Sequence, residues 1–237
     1  MKALSYLSLL AATSLTALAA EPKADVAAAA SMLDGKSSYA WVATTEIEGG
    51  QFTPAPVNGK TEKGGFTHIS MKFGENEIDT FMKGTNFVTK TQDGWKNAAE
   101  LAANPPGGGG GGGRGGFGRM FSNQRTPYGQ VTNILAKAKE VKAADGKFTA
   151  EFSPEGAAEL ASLGGFRRPD APAPKNASAS AVFWIKDGLL QKYELKTKST
   201  IVTQDGEDRT MARTTTVEIK DIGTAKVEVP AEAKSKL

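Results

Sequence analysis

The 237 residues include no cysteine and one histidine, and 29 basic side chains nearly balance 26 acidic ones, for a formal charge of +3. This balance argues against a dedicated nucleic-acid-binding protein, which normally carries a strongly basic face. Without disulfides, a packed core must hold the fold. The length corresponds to one large domain or two small ones.

The N-terminus, Met1–Ala19, has the three-part pattern of a secretory signal peptide. Lys2 supplies the charge, Leu4–Leu18 is apolar, and Ala17–Ala19 provides two small residues at the cleavage site. The apolar segment is too short to cross a bilayer, which takes about 20 residues. We therefore expect a periplasmic or secreted protein whose single domain comprises residues 20–237.

The N-terminal half of this domain predicts one helix followed by strands. Ala24–Leu33 is alanine-rich and ends before a glycine, as helices commonly do. Gln51–Lys60 contains two prolines and is interpreted as a loop or a sheet edge, and Lys96–Ala102 as a short strand or a helical turn. Alternation of apolar and polar residues predicts strands at Ser38–Glu48, Gly65–Phe73, Glu77–Lys83 and Asn86–Thr91.

Asn104–Arg125 differs in composition from the rest of the chain. It contains seven consecutive glycines after two prolines. Such a run cannot repay its ordering entropy by burial, so we predict a disordered insertion at 104–125. Arg114-Gly115-Gly116 is similar to RNA-binding repeats, but a single copy favours a flexible insertion. A lid over a site, or an adhesive patch of Phe117, Met120 and Phe121, stays an alternative.

The C-terminal half predicts helices, then long strands. Thr126-Pro127 is typical of a helix start, and apolar residues at helical spacing predict a helix over Pro127–Ala143. A second helix is predicted from Ser153-Pro154 to Gly164-Gly165. The predicted strands are Lys147–Phe152, the two arms of Ser178–Thr200, Arg209–Lys220 and Lys226–Val229.

Ser178–Thr200 has the strongest local signal in the chain. Asp187-Gly188 separates two apolar runs, and such a pair favours the tight primed turn of a β-hairpin. Alternation places Phe183 and Trp184 on opposite faces of the first arm, and Leu189, Gln191, Tyr193 and Leu195 on one face of the second. Bulky residues on both faces predict a curved antiparallel sheet covered on both sides.

No cluster of residues specifies a reaction. His68 is the only histidine, so a Ser-His-Asp set would depend on it, and we interpret it as a half-exposed strand residue. A zinc site would need three carboxylates, and no loop has EF-hand spacing. The sequence therefore predicts no enzyme, no metal and no cofactor. A pair of carboxylates acting on sugars stays open, because such partners can be distant in the chain.

The order of elements resembles that of the periplasmic lipoprotein-carrier superfamily (LolA/LolB-like), which includes the LprG-like mycobacterial lipid carriers. The resemblance spans most of the mature chain but contains no diagnostic motif, and no functional residue is carried over. It implies an α+β fold in which helices cap a curved, unclosed antiparallel half-barrel around an apolar cavity for acyl chains. The segments that carry it are Ser38–Ile47, Asn86–Trp95, Pro127–Ala143, Lys147–Ala161, Val182–Leu195 and Thr215–Ala233.

Our main hypothesis is a non-enzymatic exported protein that binds a lipid or a lipoprotein acyl group in a sheet-lined cavity. The alternative is a cell-envelope scaffold with a fully packed core that holds a partner protein, and a hydrolase is the third reading. No nucleic acid and no transmembrane segment are expected. We expect the ligand site to be lined by bulky strand residues: Trp41, Ile69, Met71, Phe81, Trp184 and Tyr193.

Overall fold

The computed structural model describes residues 21–48, 53–74, 76–103, 125–163, 173–202 and 206–237. The predicted signal peptide and all but the last residue of the predicted insertion 104–125 lie outside these ranges. The helices are α1 (Pro22–Asp34), α2 (Ala98–Ala103), α3 (Pro127–Lys137), α4 (Pro154–Leu163) and α5 (Ala231–Lys234). The strands are β1 (Ser38–Glu48), β2 (Val57–Glu62), β3 (Thr67–Phe73), β4 (Asn76–Lys83), β5 (Asn86–Thr91), β6 (Gly94–Asn97), β7 (Ala138–Ala144), β8 (Lys147–Phe152), β9 (Lys175–Lys186), β10 (Leu189–Val202) and β11 (Asp208–Lys220).

These strands form one antiparallel sheet in the order β6-β5-β4-β3-β2-β1-β11-β10-β9-β8-β7. Two meanders meet where β1 pairs with β11, so the first and last strands are neighbours in its middle. β6 and β7 are the two free edges, so the sheet does not close. The predicted α+β fold, with an unclosed antiparallel half-barrel and helices, is confirmed.

Helices α1, α3 and α4 lie together on one side of this sheet, which we call the inner face, and Leu101 of α2 packs on Ile78 and Phe87 of the same face. The opposite side is the outer face. Val26 of α1, Val131 of α3 and Leu160 of α4 pack into the same buried group as Tyr39 and Trp41 of β1. We call this group the covered cluster. Its buried members are Val26, Ala30, Leu33, Tyr39, Trp41, Ile69, Val131, Ile134, Leu135, Ala138, Val141, Ala150, Leu160, Ala181, Phe183, Leu190, Tyr193, Val217 and Ile219.

The hairpin predicted around Asp187-Gly188 is confirmed. Both residues have positive φ, 52° and 73°, as a primed two-residue turn requires. The predicted face of the second arm is partly wrong, because the pairing of β9 with β10 is irregular between Leu190 and Lys192. This bulge places Leu190, rather than Leu189, in the covered cluster together with Tyr193.

Three predicted boundaries are corrected. α3 begins as expected, with the Thr126 hydroxyl accepting from the Gly129 amide, but it ends at Lys137 because Ala138 is already extended and β7 pairs with β8. Gln51–Lys60 is not an edge at its C-terminal end, since β2 pairs with both β1 and β3. Residues 226–229 form no strand.

The C-terminal segment instead covers part of the outer face. Val227, Val229, Ala233 and Leu237 pack on an apolar group of Phe81, Val88 and Trp95 from strands β4 to β6. The Val227 amide donates to the Glu62 carboxylate at 2.9 Å, and Lys236 pairs with Glu100 at 2.6 Å. Strands β4 to β6 are therefore covered on their outer face as well.

Gly59 has a specific packing role in the middle of β2. It lies directly opposite Trp41, and a Cβ atom at this position would be 2.1 Å from Cε2 and Cζ2 of the Trp41 ring. Real Cβ contacts are essentially never this short. The indole therefore occupies the space that a side chain on β2 would fill.

We expect Gly59→Ala to lower the free energy of unfolding by about 2 kcal/mol, because the added methyl overpacks the site and displaces Trp41. Urea unfolding checks this. In a Trp41→Leu background the same substitution should cost much less, since the smaller side chain leaves room for the methyl. Equal costs in the two backgrounds would show that contact with the indole is not the reason for the glycine.

Candidate functional site

The inner face carries no acidic residue at the paired positions of the described strands. Following the pairing register across the sheet assigns every paired strand position to one face, and all paired Asp and Glu residues of the described strands lie on the outer face. The charged side chains at inner positions are Lys96, Arg209 and Arg213. The described strands thus present inward a surface of apolar and hydroxyl side chains whose only charges are positive.

The covered cluster fills the part of the inner face beneath α1, α3 and α4. Trp41 is 2% exposed and Tyr193 1%, and Leu33, Val131 and Leu135 of the helices are buried with them. The interior beneath these helices is packed with side chains.

The distal end of the inner face, formed by the C-terminal parts of β1 and β10 and the N-terminal part of β11, is different. Ile47, Ile201 and Met211 are half-buried there but lie outside the covered cluster. Arg213 stands among them, directly opposite Ile47 on one side and Thr197 on the other. The distal end therefore combines apolar side chains with two arginines, Arg213 between Ile47 and Thr197 and Arg209 opposite Ile201.

Two tyrosine hydroxyls lie in the interior next to α3. The Tyr193 hydroxyl donates to Oε1 of Gln130 at 2.6 Å, whereas the buried Tyr39 hydroxyl has no hydrogen-bond partner among the described residues. Burial raises the pKa of Tyr39 to about 12; nearby Thr126 and Tyr128 oppose the shift without making a hydrogen bond of good geometry. Burial and the neighbouring Tyr39 also raise the pKa of Tyr193.

The six residues predicted to line a ligand site fall into two places. Trp41, Ile69 and Tyr193 belong to the covered cluster, and Met71 packs against its rim. Phe81 lies in the outer-face group beneath the C-terminal segment. Trp184 is also on the outer face. The structure thus brings four of the six together, and their contact with a ligand stays a prediction.

Trp184 lies on the outer face between two lysines. Lys147 and Lys192 are its register partners on the neighbouring strands, and their Nζ atoms are 5.8 and 5.1 Å from the ring. Such contacts stabilise an exposed aromatic by about 0.5–1 kcal/mol. The two lysines therefore explain why Trp184 lies on the outer face.

His68 lies on the outer face, where its contacts are with neighbouring residues of the sheet. Its ring stacks on Phe81 at 4.4 Å, and Nε2 is 2.8 Å from the Asp79 carboxylate. Ser70 shares the face but makes no hydrogen bond to His68, so these three do not form the nucleophile–base contact that a hydrolase needs. Within the described residues no group of three or more His, Asp or Glu is placed to hold a metal ion.

Arg213 is the residue that the sequence interpretation passed over. The alternation of apolar and polar residues in β11 puts it on the face of Met211 and Val217. Arg213 could have been found in the sequence as a charged residue on the same strand face as Met211 and Val217. A charge among buried apolar residues usually has a partner, so such a position points to a binding role.

Two surface depressions accompany these features, and neither opens into the covered cluster. One, of about 350 Å³, is lined by Glu46, Ile47, Glu48, Ala212 and Thr214. The other, of about 250 Å³, surrounds the turn between β7 and β8. No helix in the described ranges is long and apolar enough to span a membrane.

No family model and no curated protein matches the sequence. Among solved structures, LprF from Mycobacterium bovis is similar with a TM-score of 0.44 and 12% identity, covering 90% of this chain and 97% of that one. A LolA superfamily protein from Nitrosomonas europaea has a TM-score of 0.34 and 8% identity, covering 89% and 96%. Both identities and both TM-scores are low, so neither likeness assigns a function to this chain.

We expect Tyr193→Phe and Tyr39→Phe to differ in stability. Removing the Tyr193 hydroxyl breaks a hydrogen bond to Gln130 and should cost about 1 kcal/mol, whereas removing the unpartnered Tyr39 hydroxyl should be neutral or stabilising. Urea unfolding of both variants at neutral pH measures the difference. Equal losses would mean that the Tyr39 hydroxyl is hydrogen-bonded in solution.

The same variants test the tyrosine pKa values. The folded pKa of Tyr39, about 12, is above the ordinary value of 10.0, so the unfolded chain releases this proton first. The contribution of the protonated Tyr39 hydroxyl to the free energy of unfolding is therefore fully present below pH 10 and is lost as the pH rises towards 12. Tyr39→Phe should make the stability decline less steeply over this interval.

Proposed function

We propose that the protein binds an acyl chain along the inner face of its half-barrel and works outside the cytoplasm without catalysing a reaction. The observation that carries the proposal is the charge segregation of the sheet: along the described strands the inner face is free of acids from the covered cluster to the distal end, where apolar side chains lie among hydroxyls and arginines. Placing an acyl chain there is favourable by about 25 cal/mol per Å² of apolar surface removed from water. The location outside the cytoplasm rests on the signal-peptide pattern of the first 19 residues.

The packed interior determines how a chain would enter. The distal end offers half-buried Ile47, Ile201 and Met211, so the chain first contacts this end. For the acyl chain to reach Trp41, α3 must move, because the Gln130 side chain on this helix is hydrogen-bonded to Tyr193. Binding and a shift of this helix are therefore coupled in the proposal.

The three tryptophans make the proposal testable, because Trp41 is on the inner face while Trp95 and Trp184 are on the outer face. We expect brominated stearate to quench the fluorescence of a variant that keeps only Trp41, with Phe at the other two positions. The matched control keeps only Trp184 and should not be quenched. Thermal unfolding confirms that both variants are folded.

The outcome distinguishes the binding surfaces. Quenching of Trp184 alone would place the acyl chain on the outer face and contradict the proposal. No quenching of Trp41 in a delipidated sample, at concentrations up to the solubility of the probe, would also reject it.

The second candidate is an envelope scaffold, and the packed covered cluster favours it. In that case residues 104–124 are a suitable arm for holding a partner. We expect that replacing them with a Gly-Ser linker of equal length abolishes co-purification of an envelope protein without changing the Tm. Arg125 is retained because its carbonyl accepts from the Gln130 side chain. Unchanged co-purification would reject this role for the segment.

A further inference from the structure

Arg213 is a half-buried cation without a partner. It makes no hydrogen bond or ion pair within the described part of the chain, and burial lowers its pKa. It stays protonated at neutral pH, because guanidinium does not lose its proton in proteins. Burying a charge without a counter-ion is unfavourable, so a residue kept in this state calls for an explanation.

Its neighbours provide hydroxyls and apolar groups but no carboxylate. The register partners are Ile47 and Thr197, and Met211 and Thr215 flank it along the strand. Thr215 is hydrogen-bonded to Thr45 on the adjacent strand, with 3.2 Å between the two oxygens. Every paired acid of the described strands is on the other side of the sheet, so these strands supply no counter-ion to Arg213.

We propose that Arg213 binds the carboxylate of a fatty acid whose chain extends along the inner face towards Trp41. This rests on the proposed function and adds the headgroup to it. The planar guanidinium pairs with a carboxylate through two parallel hydrogen bonds. One guanidinium matches the single negative charge of a carboxylate. The next inner-face cation on this strand, Arg209, is four residues or about 13 Å away, too far to bind the same carboxylate.

Chain direction follows from the register. Arg213 is opposite Ile47, and Trp41 is six residues earlier on the same strand, about 20 Å away. Ala43 and Thr45 lie between them on the same face. A chain anchored at Arg213 therefore directs its methyl end towards the covered cluster.

The test compares oleate with methyl oleate, which has the same chain without the charge. Wild-type protein is expected to bind oleate at least tenfold more tightly, and Arg213→Met should remove this preference. Arg213→Lys keeps the charge and should retain part of it. The control is Lys198→Met, which removes a charge from the outer face at the neighbouring position, opposite Ala212.

Each result decides a separate point. Equal affinity of the two probes for the wild type overturns the headgroup assignment while leaving acyl binding in place, whereas binding of neither probe rejects the proposed function itself. An Arg213-dependent preference for oleyl phosphate over oleate would replace the carboxylate with a phosphate and overturn our assignment. So would equal losses of oleate affinity in Arg213→Met and Lys198→Met.

Two further measurements separate binding from a structural role. Without ligand, Arg213→Met should leave the Tm unchanged or raise it, because an unpaired half-buried charge is removed; a large loss of stability would mean that Arg213 serves the fold. In the variant that keeps only Trp41, stearate brominated near its methyl end should quench more strongly than stearate brominated near the carboxylate. The reverse order would contradict the proposed direction.

Discussion

The contact on which the middle of the sheet depends is Trp41 of β1 lying across Gly59 of β2. β1 joins the two meanders, since it pairs with β2 on one side and β11 on the other. The indole covers a strand position that has no side chain and packs with Tyr39, whose ring centroid is 5.8 Å away. Trp41 therefore fills the space over the β1–β2 pairing, next to the pairing of β1 with β11 where the two meanders meet, and the helices pack over it.

The two faces of the sheet divide the chemistry between them. The outer face carries the paired acids and most lysines, so ion pairs such as Lys142 with Glu151 form there, at exposed positions where each contributes little. It also has an apolar group under the C-terminal segment, which explains why Phe81 and Trp95 are not exposed. Apolar packing thus supplies most of the stability on both sides, and the charges mainly fix which side faces outward.

Local signals predicted much of this fold from the sequence. Asp187-Gly188 specified its turn, and Thr126-Pro127 specified the start of α3, because both act within a few residues. The end of α3 was not predictable, since Val141 suits a helix and a strand equally and only pairing with β8 decides. The same limit applied to the candidate lining: alternation shows which residues share a face of one strand, but which face is inner depends on pairing, and so Phe81 and Trp184 were grouped with residues on the other side of the sheet.

The contrast between the two ends of the inner face connects structure to function. At the covered end, even a tyrosine hydroxyl is buried without a partner, so packing there takes precedence over polar satisfaction. At the distal end the guanidinium of Arg213, which has no partner in the described part of the chain, lies beside half-buried aliphatic side chains. A methionine in its place would pack on the same apolar surface without the desolvation cost of a charge. A fold optimised only for stability has no use for that arginine, whereas a surface that receives an acidic amphiphile needs both the charge and the apolar groups around it.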